Sequence, residues 1–208
     1  MQPKPKPASA GGIPKGWPPG TVYLRAACYS KKMPSDVFKA LVFPKSDLPA
    51  GTQVLKTAGP YSNVKITSIS SAPHPANGQN GLFASQNLSP DSFILPYLGY
   101  VHDSSETNEA SDYDLSLDRE RGIGVDASQM GNEARFINDY RGVSTAGPNA
   151  EFRDIFVHVG NGKVERRVGV FVLSAGKSGK RSKGIARGEE ILVSYGKGFW
   201  TERLSTEG

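Results

Sequence analysis

Two short stretches bring together residue types that make poor core design and good chemistry. The first, Gly131 to Gly142, sets the apolar pair Phe136-Ile137 directly against the carboxamide of Asn138 and the carboxylate of Asp139, with Arg135 and Arg141 to either side. The second reads Gly188-Glu189-Glu190-Ile191-Leu192-Val193-Ser194-Tyr195-Gly196. An amide among apolar neighbours must satisfy two donors and an oxygen, or bear a desolvation cost of roughly 1–3 kcal/mol. Main-chain groups in a tight connection can meet that need for Asn138, and so can a bound polar ligand.

Set side by side, in this order and at this separation, the two stretches resemble the signature motifs of the SET-domain family of protein lysine methyltransferases. The family's first motif reads Arg-Phe-Ile-Asn-His-Ser, and Arg135-Phe136-Ile137-Asn138 reproduces its first four residues. The second reads Glu-Leu-x-Phe/Tyr-x-Tyr, of which Glu190 and Tyr195 keep type and spacing. The chain departs from the pattern at Asp139, where the family has histidine, at Val193, where an aromatic residue tunes the number of methyl groups added, and at Ser194, where an acid is common.

Further segments are similar to family elements. Gly81-Leu82-Phe83-Ala84 resembles the glycine turn and apolar strand that contact S-adenosylmethionine, although Gly78 and Gly81 are spaced more widely than the pattern; Asn77-Gly78 alone reads equally as a hairpin turn. Tyr97-Leu98-Gly99 resembles a Tyr-x-Gly element, Tyr113-Asp114-Leu115 a Tyr-x-Leu strand, Val125-Asp126-Ala127 and Pro148-Asn149 the segments before and after the first motif. Gly122-Ile123-Gly124-Val125-Asp126-Ala127 imitates a dinucleotide fingerprint, but no buried strand precedes it and no acid follows at the ribose spacing.

The resemblance implies methyl transfer from S-adenosylmethionine to a lysine amine, with S-adenosylhomocysteine as product. Such an in-line displacement needs alignment, exclusion of water and a neutral amine, whereas free lysine has a pKa near 10.4. Tyr195 and Tyr97 are the implied catalytic walls of a lysine channel, Val193 and Phe199 further channel residues. Asn80, Gly81, Leu82, Phe83, Tyr113, Arg135, Asn138, Asp139 and Trp200 are the implied cofactor-binding set. An aromatic tube depresses the lysine pKa by desolvation, so no acidic or imidazole base is required.

The elements that must position these residues are only partly readable. The resemblance implies a β-rich α+β fold of several small sheets with a C-terminal pseudoknot, over about residues 62 to 200. Residues 1–20 are proline- and glycine-rich and read as a disordered tail, 21–61 as a flanking arm, and 201–208 as a second tail. Within the arm, Thr21 to Tyr29 suits a strand, and Ser35 to Phe43 a short helix with Ser35 as N-cap. Val64 to Ile69 alternates as a half-buried strand, and Phe93 to Val101 reads as one apolar strand. Ile155 to Val159 and Val164 to Ser174 form strands joined by an Asn161-Gly162 turn.

Composition bounds the rest. A chain of 208 residues with a formal net charge of +5 suits one domain with a sizeable core. The single cysteine, Cys28, excludes an internal disulfide framework and a cysteine-built zinc cluster. No apolar run reads as a signal peptide or membrane span, so the expectation is an intracellular protein, nuclear or cytoplasmic. The resemblance further implies that the stretch with seven acids between Asp103 and Glu120 is a variable insertion forming one side of a groove for a basic protein such as a histone tail; taken without it, the run reads as solvated loop charge. Lys177, Lys180, Arg181 and Lys183, in a loop insertion at 176–184, read either as a weak contact for nucleic acid or another anionic partner or as a solvated loop. The alternative to an enzyme is a catalytically silent SET-like module that binds peptide or chromatin.

Overall fold

A computed structural model describes residues 12–176 and 183–196. In chain order the elements are β1 (Val22–Tyr23), β2 (Cys28–Tyr29), α1 (Ser35–Leu41), β3 (Val42–Pro44), β4 (Val54–Leu55), β5 (Val64–Ser68), β6 (Asn80–Ala84), β7 (Phe93–Pro96), β8 (Tyr100–His102), β9 (Asp114–Asp118), β10 (Ile123–Asp126), β11 (Met130–Gly131), β12 (Asn138–Asp139), β13 (Ala150–Gly160), β14 (Lys163–Val172) and β15 (Leu192–Val193). The fold is β-rich, in several small sheets around one main core.

The longest element is the β13–β14 hairpin, made where the sequence places it. Its turn needs two residues at positive φ, and Asn161 (φ 49°) and Gly162 (φ 68°) supply them. β14 is central: β13 covers one edge, while β3 and β7 share the other end to end, and β4 extends the sheet beyond β13. Burial on both faces explains why β14 holds Val164, Val168, Val170 and Val172 in the core and pairs its two buried charges, Glu165 and Arg167, through two bonds of 2.6 and 2.9 Å.

The run from Phe93 to Val101 is not one strand. Pro96 has no N–H to continue the ladder, and at Gly99 the backbone of β10 comes so near that a β-carbon would lie 2.5 Å from the carbonyl oxygen of Asp126. The chain therefore leaves the β14 sheet after β7 and enters a four-stranded sheet, order β2-β8-β10-β9, as β8. Tyr97, at the crossing between the two sheets, is buried at their junction.

The arm differs from expectation in two places. Thr21 to Tyr29 breaks into β1, parallel to β11, and β2, parallel to β8, because its two ends serve different sheets. The helix begins with Pro34 as its N-cap, not Ser35, and no side chain caps it. Near the C-terminus β15 is held from two sides. Asn138 and Asp139 pair with Leu192 and Val193 in parallel, while Asn149 donates its main-chain N–H to the Leu192 carbonyl at 3.0 Å and accepts the Leu192 N–H on its side chain at 2.8 Å. The strand thus crosses the loop between β12 and β13 in a knot-like arrangement.

Candidate active site

Segment 131–142 is braced before it reaches the site. Asn132, fully buried, donates to the Pro96 carbonyl at 2.8 Å and accepts the Leu98 N–H at 3.1 Å, gripping the chain on both sides of Tyr97. Glu133 follows in a 3-10 helix (Glu133–Phe136), and its buried carboxylate accepts the Tyr23 hydroxyl and the Tyr61 N–H. The arm, in which the sequence shows no motif, thereby anchors the motif. Trp17, within the stretch read as a tail, stacks edge-on against Tyr23 and Phe136, and Pro18 reaches the site itself.

Two phenols converge from the crossings. Tyr97 donates its hydroxyl hydrogen to the Tyr113 carbonyl at 2.7 Å, and Tyr195 donates to the Ile137 carbonyl at 2.6 Å. Burial pushes both phenols above the ordinary tyrosine range; Tyr195 and Asp126 add to the rise at Tyr97, and Asp139 and Tyr113 add to it at Tyr195. Both stay protonated, with the proton committed to a main-chain oxygen, so what they can offer a substrate is an oxygen lone pair.

Two cavities meet at the Tyr195 ring. The larger, about 910 Å3, is lined by Tyr97 and Phe152 and by the acidic segment through Glu109, Asp112 and Asp114. The smaller, about 380 Å3, is lined by His74, Asn80, Asn138, Asp139 and Arg141. Asp112, Tyr113, Arg135 and Tyr195 line both. Arg135 is fixed there by donating to the carbonyls of Ala127 (2.9 Å) and Ser128 (3.1 Å), with its guanidinium 4.5 Å from the Tyr113 ring centre.

A sequence model of the SET domain matches residues 79–196, more than half of the chain. The chain belongs to the SET-domain family. No curated protein matches it. Among solved structures it is similar to the Chaetomium thermophilum polycomb repressive complex 2 (24% identity over 66% of this chain and 16% of that one, TM-score 0.47). Also similar are ctPRC2 in an autoinhibited conformation bound to S-adenosylmethionine (25% identity, 71% and 17%, TM-score 0.48) and an active polycomb repressive complex 2 in the basal state (27% identity, 67% and 16%, TM-score 0.48). The chain spans less than a fifth of the length of these chains, and the family membership rests on the domain match.

Within this SET domain, Asn80, Tyr113, Arg135, Asn138 and Asp139 of the expected cofactor set share the smaller cavity. Gly81, Leu82 and Phe83 lie behind it: Leu82 is fully buried, Phe83 bridges to Glu190, and Gly81 backs onto the Glu190 carboxylate. Gly81 is required for space rather than for a left-handed backbone. That conformation belongs to Gly78 (φ 84°), which turns the loop before β6. Val193, expected in the channel, is fully buried in the core and lines neither cavity, while Ser194 is exposed. Phe199, Trp200, Lys177, Lys180 and Arg181 lie outside the described residues, and Lys183 is exposed.

The family's histidine position resolves differently here. The buried carboxylate of Asp139 accepts the N–H groups of Arg141 (2.8 Å) and Tyr195 (2.7 Å) and pairs with the Arg141 guanidinium at 2.8 Å. The acid therefore ties the first motif to the second. Three contributors escape the sequence reading: His74, Asn132 and Glu133. Glu190, legible as a kept motif residue, has a site role that the sequence reading did not give it: its Oε1 accepts the Asn138 amide N–H at 2.8 Å.

Proposed function

We propose that this SET domain is a protein lysine N-methyltransferase, moving a methyl group from S-adenosylmethionine to a lysine of a basic protein, a histone tail being the first candidate. The observation that carries the reading is the pair of cavities separated by a shared wall of Asp112, Tyr113, Arg135 and Tyr195. Two reactants entering from opposite faces meet in line at such a wall, with water displaced by aromatic rings.

The smaller cavity fits the donor. The Asn138 amide hydrogens face Glu190 at 2.8 Å and the Asn80 carbonyl at 3.5 Å, so its oxygen is left as an acceptor suited to the ammonium of a methionine moiety. Pro75, Phe136 and Val143 give apolar surface for a purine, and the main chain at Asp139 is the proposed partner of its polar edge. When bound, S-adenosylmethionine supplies an electrophilic methyl on a sulfonium and departs as S-adenosylhomocysteine.

The larger cavity fits the acceptor. Glu109, Asp112 and Asp114 draw a cationic peptide to it. Tyr97, from the larger cavity, and Tyr195, at the shared wall, strip water from the entering amine, which favours its neutral form. Because the Tyr195 hydrogen is held by Ile137, the phenol oxygen accepts an N–H from that amine and turns the nitrogen lone pair toward the donor side. No residue of this chain needs to act as a base beyond letting the ammonium proton leave to water before the amine is enclosed.

Isothermal titration with S-adenosylmethionine, followed by mass spectrometry of a histone and total-lysate mixture incubated with labelled donor, tests the reading. Binding and label on lysine are the expected outcomes. Absence of binding at millimolar donor removes the enzyme and leaves a peptide-binding module.

A further inference from the structure

We propose that His74 is a positioning residue for the donor cavity, fixing the orientation of the Asn138 amide through Glu190. The inference rests on reading that cavity as the donor site. His74 lies in the loop between β5 and β6, far from either signature motif, yet its imidazole is nearly buried against Glu190, each side chain 9% exposed. The loop is folded by its own turns, among them Asn77 N–H to the His74 carbonyl (2.9 Å) and Gly78 N–H to the Ile69 carbonyl (2.9 Å). Across the cavity mouth Pro75 packs on Gly142, where a β-carbon would lie 2.7 Å from the proline ring.

The hydrogen bonds assign each atom a role. Nδ1 of His74 accepts the Ala76 N–H at 3.0 Å, so it carries no proton, and the hydrogen of the neutral ring sits on Nε2. Nε2 donates to Oε2 of Glu190 at 3.0 Å. The other oxygen, Oε1, accepts from Nδ2 of Asn138 at 2.8 Å. An asparagine has two nearly isosteric orientations, and its network decides between them. Here a carboxylate immobilised by imidazole draws the NH2 to one side and thereby turns the oxygen to the other. Without the imidazole donor, Glu190 keeps its reach but loses its fixed rotamer, and the amide can flip to offer a donor where a cationic ligand needs an acceptor.

The two nitrogens of His74 can be replaced separately. His74→Gln keeps a donor at the reach of Nε2. His74→Asn keeps an acceptor at the reach of Nδ1, hence the loop turn, and loses the bond to Glu190. His74→Ala loses both. In the ligand-free full chain, nitrogen-15 spectra of wild type should show the Nε2-protonated tautomer of His74 and a resolved pair of Asn138 side-chain N–H signals. Those signals should shift or broaden in His74→Ala and His74→Asn and return in His74→Gln. Unchanged Asn138 signals in His74→Asn, or restoration by Asn as fully as by Gln, would overturn the proposal; the second outcome is what a loop-folding role alone produces. A parallel titration with S-adenosylmethionine should show affinity about tenfold weaker in His74→Asn and recovered in His74→Gln, with turnover at saturating donor within about twofold. Turnover lost at saturation with affinity intact also overturns it. A wild type that binds no donor sinks the functional reading, while the spectra still decide what His74 does to Asn138.

Discussion

Tyr195 and Ile137 are joined by a 2.6 Å hydrogen bond from phenol to main-chain carbonyl, made beside the parallel pairing of β15 with β12. The bond consumes the phenol proton inside the protein. Tyr195→Phe keeps the ring and removes both the acceptor for the amine and the donor to Ile137. Turnover should fall at least about a hundredfold while donor affinity stays within about tenfold, or 1.4 kcal/mol. Single-turnover rates and calorimetry check the two halves, and an unchanged rate would remove Tyr195 from the chemistry.

Gly81 is defined by what stands over it. A β-carbon there would lie 2.6 Å from Oε1 of Glu190, the oxygen that holds Asn138, and 2.9 Å from the Phe83 ring. The carboxylate is the free end of a side chain and can swing away, so Gly81→Ala should fold, and its cost should fall on the Asn138 contact. Donor affinity should drop about tenfold or more, with the far-ultraviolet spectrum unchanged. Calorimetry beside circular dichroism separates this from simple misfolding.

These two residues also mark what the sequence discloses. Asn138, Glu190 and Tyr195 are legible because their spacing within short motifs is itself the signal, and the Asn161-Gly162 turn because hairpin chemistry is local. His74 and Glu190 are 116 positions apart, and Tyr23 and Glu133 are 110 apart, so no window of sequence holds either pair. The break at Pro96 and Gly99 was hidden in an apolar run, because what splits it is the approach of the β10 backbone rather than any residue in the run besides the proline and glycine themselves. Gly124 taught the opposite lesson. It mimics a nucleotide fingerprint, whereas its real role is to leave room between the strands beside it.

Asp139, which replaces a family histidine, collects three partners on one buried carboxylate. Asp139→Asn turns an NH2 toward at least one N–H donor and leaves that contact unmade, which should cost about 1–3 kcal/mol. Because one partner is the Tyr195 N–H, turnover should also fall. A thermal melt paired with a rate measurement at saturating donor checks it; a loss of stability with full turnover would show that the carboxylate braces the crossing without placing the phenol.

His102 and Asp114 meet at 2.9 Å across the middle strand of their sheet, over Gly124, whose absent β-carbon would otherwise lie 2.7 Å from the imidazole and 2.6 Å from the carboxylate. The hydrogen bond to Asp114 raises the His102 pKa to about 9 against the opposing effect of burial, with the Asp103 carbonyl and Asp126 adding to the rise. Tyr100 stacks on the ring. A folded pKa above the unfolded value of about 6.5 means that the protonated form is favoured by folding. The contribution is complete below about pH 6.5 and is lost as pH rises toward about 9, with an upper limit of about 3 kcal/mol at 1.36 kcal/mol per unit. His102→Gln should be less stable than wild type at pH 6 and approach it by pH 10, so that the gap between the two melting curves closes with rising pH. Because Asp114 also lines the larger cavity, the same variant should alter basic-peptide affinity at pH 7 and leave donor affinity unchanged, which calorimetry with each ligand measures.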